Sequence, residues 1–166
     1  MGRKIVSKQH NSSECVVCGY QNKHSMNARF YNTEDNEVIA VFLPDEMHQG
    51  YPGRLHGGMA AAILDETIGR VGSLYDESMW AVTVELTLKY RKPVPTGVEL
   101  KVIGRLTHNA RKIYEGSGEL LLPDGSVAVE AKGKYFKIPI IELVDNDFIE
   151  NNWTYLDEEG LDELEL

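Results

Sequence analysis

HQGYPGRLHGGMAAAILDETIG, running from His48 to Gly69, is the stretch on which the reading of this chain turns. Glycines and a proline crowd around His56. A nearly pure apolar run follows, Met59 to Leu64, and straight after it stand two carboxylates, Asp65 and Glu66. His48–Leu55 reads as a loop. Gly57 to about Leu74 reads as one long helix, rich in Ala, Leu and Ile and uninterrupted by proline. A helix that is apolar on all sides is a buried one, so its first half is expected to be enclosed. After Glu66 the apolar positions thin to Ile68, Val71 and Leu74, and the second half is expected to emerge on one side.

The flanks read as strands. ARFYNTEDNEVIAVFLP predicts a hairpin, with strands over about Met26–Tyr31 and Val38–Leu43. VTVELTLKY alternates cleanly, with Val82, Val84, Leu86, Leu88 and Tyr90 on the core side and Thr83, Glu85, Thr87 and Lys89 on the other. VELKVIGRL, KIYEGSGELLL and VAVEAKGKYFKI supply three more strands, with Gly104 a candidate bulge and PDGS a tight turn. Two strands, one buried helix and four antiparallel strands predict an α+β fold, a curved antiparallel sheet wrapped around a single helix. Residues 1–25 read as a loosely docked N-terminal arm, 26–140 as the domain and 141–166 as an acidic tail, which is either a mobile solubilising end or a helix packed on a neighbour, with Trp153 and Tyr155 leaning toward docking.

Composition narrows the function classes. The chain has 166 residues, 42% of them apolar, and a formal net charge of -9. Ten acids and no Lys or Arg lie from Ile141 onward, which leaves 17 basic and 16 acidic residues in the first 140. The body is near neutral, and no basic stripe with interleaved aromatics suggests a nucleic-acid partner. No run approaches the length of a membrane span, and MGRKIVSKQHNSSE lacks a signal-peptide core. The expectation is a soluble, cytoplasmic protein. CVVCG places Cys15 and Cys18 at half-site spacing for zinc, with His10 and His24 nearby to complete it or a dimer to pair two halves. The plainer reading is a turn with reduced thiols and no metal.

The glycine turn has a chemical use. The first N–H groups of a helix lack partners within it, and its dipole adds partial positive charge there. Gly57 and Gly58 let another molecule approach that backbone closely. Asp65 stands eight residues further, ~12 Å along the axis at ~1.5 Å per residue. An anion site at the helix mouth and a carboxylate deeper in suit attack on a carbonyl by water, or by the acid itself.

LHGGMAAAILDE, with LKYRKPVPTG behind it, resembles the hotdog-fold acyl-CoA thioesterases of the phenylacetate-pathway (PaaI-like) branch, over roughly residues 26–138. CVVCG and HQGYPG are similar to segments of one branch of these proteins. The resemblance implies that the Gly57 N–H binds the thioester oxygen and that Asp65, nine residues after His56, is general base or nucleophile. It implies that His56 shapes the turn and that Thr83 helps hold the water. By strand parity Thr83 faces away from its own core and would serve at a subunit junction, with Thr87 the alternative on the same face. The resemblance also implies an acyl-CoA substrate, no separate cofactor, and a homodimer or dimer of dimers with sites at the interface. Many relatives carry Asn where this chain has Gly50, so Gln49 or His48 could supply that polar group. Gly58 and Arg54 lie at the expected pocket mouth. Arg91, Lys92, Arg111 and Lys112 are candidates for the coenzyme A phosphates, and Glu66 is assigned to structure. A non-catalytic acyl-CoA binding or sensor protein on the same fold is the alternative.

Overall fold

The computed structural model describes residues 2–156 and 162–166. The strands are β1 (Gly2–Lys8), β2 (Asn11–Ser12), β3 (Arg29–Thr33), β4 (Glu37–Phe42), β5 (Met79–Tyr90), β6 (Leu100–Asn109), β7 (Ile113–Leu121), β8 (Val127–Pro139), β9 (Trp153–Thr154) and β10 (Glu163–Glu165). The helices are α1 (Gly57–Gly69), continued by a 3₁₀ turn over Arg70–Leu74, and the short α2 (Ile140–Leu143) and α3 (Asn146–Asn151). Among the described residues the main sheet has eight strands in the order β10-β1-β3-β4-β6-β7-β8-β5, and β2 pairs with β9 apart from it. The expected curved antiparallel sheet around one long helix is the architecture found, and no helix among the described residues is long and apolar enough to cross a membrane.

The sheet closes on α1 because its floor is stripped of side chains. A Cβ on Gly104 would stand 2.9 Å from the Thr67 carbonyl oxygen, and one on Gly116 2.5 Å from an Ile68 methyl. One on Gly118 would stand 2.9 Å from the Ile68 side chain. These glycines let the helix lie directly on the sheet backbone. The expectation of a bulge at Gly104 is therefore corrected. Register runs straight through it, Val38↔Gly104 on one side and Gly104↔Gly118 on the other, and the irregularity between β6 and β7 falls at Leu106/His108.

Burial along α1 departs from expectation at its start: Ala60, Ile63 and Leu64 of the apolar run are sealed, but the first turn is open. Thr67 and Ile68 are sealed as well, and so is Val71 just beyond, whereas Gly57 and Gly58 are exposed and Ala61 and Ala62 half-buried. Within one chain the first half of the helix lies toward β5, which ends the sheet, so one flank stays open.

The first residues are not a loose arm. β1 pairs with both β3 and β10, and Asn11 donates from Nδ2 to the carbonyls of Cys18 and Ala28 (2.8 and 2.9 Å). The tail docks as its aromatics suggested. β9 pairs with β2, and the Trp153 ring meets Trp80 edge-on with centroids 5.0 Å apart. Residues 157–161 of the acidic tail lie outside the described residues.

Candidate active site

Asp65 is half-buried on α1 and accepts two hydroxyl hydrogen bonds from the sheet. Thr83 Oγ1 lies 2.9 and 3.1 Å from its two carboxylate oxygens. Tyr135 Oη donates to Oδ1 at 3.0 Å. Thr83 and Tyr135 are direct partners in the register of β5 on β8, so both hydroxyls project from one face of the sheet onto one acid.

Thr83 reaches Asp65 because of a bulge. Thr83 pairs with Tyr135 and Glu85 with Lys134, which leaves Val84 as an extra residue. An extra residue inverts the side-chain parity of everything beyond it. Ala81, Leu86 and Leu88 consequently pack on the core, while Val82 and Val84 are 43% and 59% exposed. The clean alternation read from sequence is thus corrected in its first half, and Thr83 faces its own core. Thr87 lies further along the strand, exposed, opposite Lys132.

Tyr135 was not singled out from sequence. The usable signal was a Tyr inside an alternating strand, since a buried Tyr hydroxyl generally needs a partner. Its side chain is 1% exposed, and burial, then the Asp65 charge, push its phenol well above the ordinary range. It stacks on Tyr114, whose hydroxyl donates to the Gly69 carbonyl and is likewise raised by burial.

Asp65 opens on a cavity of about 640 Å³. Glu66 and Arg70 of α1 and Trp80 of β5 line it beside Asp65, Thr83 and Tyr135. Gln9, Ser12 and Cys15 close it from the N-terminal segment, and Phe148, Trp153 and Tyr155 from the tail. The two ends of the chain that sequence reading set outside the domain build much of the wall.

The helix mouth is a separate, exposed place. His56 is the N-cap, and its Nδ1 accepts the Gly58 N–H at 2.9 Å. Among the described residues no acceptor within the chain takes the Gly57 N–H, while Tyr90 Oη donates to the Gly57 carbonyl (2.6 Å). His48 is buried inside the preceding loop, with Nδ1 accepting the Asp45 N–H (3.1 Å) and Nε2 2.9 Å from the His24 carbonyl oxygen. Gln49 Oε1 accepts the Gly53 N–H (3.1 Å). Both therefore hold the loop together.

The family model of the Thioesterase superfamily matches residues 52–129, which span the turn, α1, β5 and the strands around them. A solved thioesterase superfamily protein superposes with a TM-score of 0.67 at 25% identity, over 75% of this chain and 60% of that one. The Escherichia coli PaaI protein from the phenylacetic acid degradation operon superposes with a TM-score of 0.61 at 13% identity, over 68% and 80% of the two chains. The fold is the hotdog fold. Among curated proteins, the acyl-coenzyme A thioesterase THEM4 of Xenopus laevis is 27% identical over 110 residues, 66% of this chain and 49% of that protein. The chain spans about half the length, or less, of the curated relatives it matches.

On the hotdog fold the expected basic residues divide. Arg91 and Lys92 follow β5 at its Tyr90 end, beside the Gly57 mouth, and Arg91 is paired with Glu130 at 3.1 Å. Arg111 and Lys112 lie in the β6–β7 turn, where Lys112 O accepts the Lys137 N–H near the other end of β5. One chain does not bring the two pairs together. Arg54 is exposed beside Gly53, in register with Pro95.

Cys15 and Cys18 sit across from Glu66. Cys15 Sγ is 3.2 Å from Glu66 Oε2 and accepts the N–H of Val17 at 3.3 Å. The hydrogen bond between the two thiols holds Cys15 below the usual thiol range and, with burial, pushes Cys18 above it. Neither expected histidine joins them. The His10 ring stacks on Trp153 and Tyr155, and burial with the nearby Arg70 charge lowers its pKa.

Proposed function

We propose that the chain hydrolyses acyl-CoA thioesters. The observation that carries this reading is Asp65, oriented by two hydroxyls on the wall of a cavity large enough for an acyl group. The named activity of the THEM4 relative accords with it. In this mechanism a water gives its proton to Asp65 as its oxygen adds to the thioester carbonyl. The developing oxyanion is received by a Gly57 N–H, where backbone donor and helix dipole favour negative charge; because Gly57 lies ~12 Å along the helix from Asp65 of its own chain, that donor comes from a second copy. The intermediate collapses, the C–S bond breaks, and the thiolate recovers the proton from the Asp65 carboxyl group. The same carboxylate could instead attack directly and form an acyl-enzyme that water then hydrolyses. Thr83 and Tyr135 position the acid, His56 fixes the helix mouth, and Gly58 gives the thioester room. Arg91 and Lys92, which follow β5 beside that mouth, would meet the coenzyme A phosphates.

The reading includes a homodimer or dimer of dimers. Among the described residues β5 ends the sheet with an unpaired edge, a place where a second chain can add. Outside it, Val82, Phe136 and Ile113 form one cross-strand row of apolar side chains, 43%, 40% and 37% exposed. A second copy along this edge would cover the open flank of α1 and bring a second set of residues to each site.

The test is release of free thiol from short, long and aromatic acyl-CoAs by wild type and Asp65→Asn. Hydrolysis of some member by wild type, lost in a folded Asp65→Asn, is the expected result. Binding without release by wild type would replace the reading with a non-catalytic acyl-CoA binding protein.

A further inference from the structure

The CVVCG segment is a turn built around one sulfur. Gly19 N–H donates to the Cys15 carbonyl (2.7 Å), and a Cβ on Gly19 would stand 2.3 Å from that oxygen, so only glycine closes the turn. The N–H groups of Val17 and Cys18 both point at Cys15 Sγ (3.3 and 3.5 Å). Backbone donors aimed at a sulfur stabilise it as thiolate, the form that binds metal.

Glu66 completes a cluster. Cys15 Sγ, Cys18 Sγ and a Glu66 carboxylate oxygen all lie within 4.8 Å of one another. Tetrahedral zinc, with Zn–S of about 2.3 Å and Zn–O of about 2.0–2.2 Å, wants its ligands roughly 3.5–3.8 Å apart. The three atoms therefore have at most about 1 Å to close. The other carboxylate oxygen, Oε1, is gripped by Arg70 Nε and Nη2 at 3.1 and 2.7 Å. Arg70 in turn is fixed by the His10 carbonyl (2.8 Å) and lies 3.9 Å over the Phe30 ring. An outer partner that fixes one oxygen and leaves the other aimed inward is the usual support of a metal-binding carboxylate. Charge also closes: two thiolates and one carboxylate against Arg70 leave two negative charges for a divalent ion. Cys15 and Glu66 both line the cavity, so the cluster borders it.

We propose that Cys15, Cys18 and Glu66 bind one thiophilic divalent cation of the zinc class, with its fourth coordination position open to the cavity that holds Asp65. Oxidation of the pair to a disulfide is the rival fate, and it would use neither Glu66 nor the grip of Arg70.

The test titrates the reduced, chelator-stripped full chain with Co²⁺, read by absorbance, and then displaces Co²⁺ with Zn²⁺. The expected result is one Co²⁺ per chain, a thiolate-to-metal charge-transfer band in the near ultraviolet, and stoichiometric displacement. Half-buried Cys15 is the residue to change first, because replacing sealed Cys18 could unfold the chain. Cys15→Ser should remove most of the band while circular dichroism stays native, and Arg70→Gln should weaken binding about 10–100-fold. Absence of the band with both thiols free to a thiol reagent, or a band indifferent to Cys15→Ser, overturns the proposal. Ready formation of a Cys15–Cys18 disulfide in a wild-type chain that takes up no metal overturns it in favour of the redox pair. The readout is metal, not hydrolysis, so its failure is separate from failure of the thioesterase reading.

Discussion

The two halves of α1 meet the same sheet under opposite conditions. Its second half lies on a floor of glycines so tight that an added methyl would collide with backbone. Its first turn carries its own glycines and is exposed, and a Cβ on Gly57 would find its nearest neighbour, Tyr90 Oη, at 3.5 Å, an ordinary contact. Glycine serves packing in one half and access in the other. Asp65 sits at the boundary, close enough to the sealed half to be gripped by Thr83 and Tyr135 and close enough to the open half to face the cavity.

The strongest way to break this contrast is at the boundary itself. Asp65→Asn keeps the shape and removes the base, and kcat should fall about 10²–10⁴-fold, the usual contribution of general base catalysis. Thiol release at saturating acyl-CoA measures it, and a variant with full activity would make Asp65 structural. Next, one substitution should have opposite consequences in the two halves. Gly104→Ala should cost roughly 1–3 kcal/mol of stability in urea unfolding, the range for overpacking. Gly57→Ala should leave stability unchanged or raise it by up to about 1 kcal/mol, yet lower kcat/KM by crowding the exposed N–H. Equal stability losses at both positions would erase the distinction.

Tyr135→Phe and Thr83→Val each remove one hydroxyl from Asp65. Each should lower kcat roughly tenfold with little change in KM, within what a hydrogen bond to a charged group contributes, about 1.5–3 kcal/mol. The smallest effect is in pH. Burial raises both Tyr114 and Tyr135 in the folded chain, so the unfolded chain loses its phenolic protons first. Stability from this source is complete below about pH 10, the ordinary tyrosine value, and declines as pH rises above it. Urea midpoints measured between pH 8 and 11 should show the decline in wild type and a shallower one in a Tyr114→Phe, Tyr135→Phe double variant.

What was legible from sequence follows the range of the forces involved. The helix start was legible because His56, Gly57 and Gly58 act locally, through a cap and a turn. Asp65 was legible because an acid ending an apolar run is conspicuous. Thr83 was named, but on the wrong face, since TVE carries no compositional sign of the bulge that leaves Val84 over. Tyr135 and the meeting of Cys15 with Glu66 depend on register and on contacts 51 residues or more apart. Periodicity within one segment does not encode such pairings. The docked N-terminal segment was missed for the same reason. Its polar, turn-rich composition describes the outer surface it presents, and two of its pairing partners, β9 and β10, lie at the far end of the chain.

That end-to-end pairing has a kinetic consequence. Asn11 and Ser12 meet Thr154 and Trp153, and Ser13 Oγ donates to Asn152 Oδ1 at 2.8 Å across a sequence separation of 139. So short a ladder closing so long a loop is expected to contribute little to the folding nucleus and to form after the central strands of the sheet. It is also a candidate for the first region to open under native conditions. Amides of β2 and β9 should then exchange with deuterium well before those of β6 and β7, and each such opening would unlatch one wall of the cavity while the glycine-floored core stays shut.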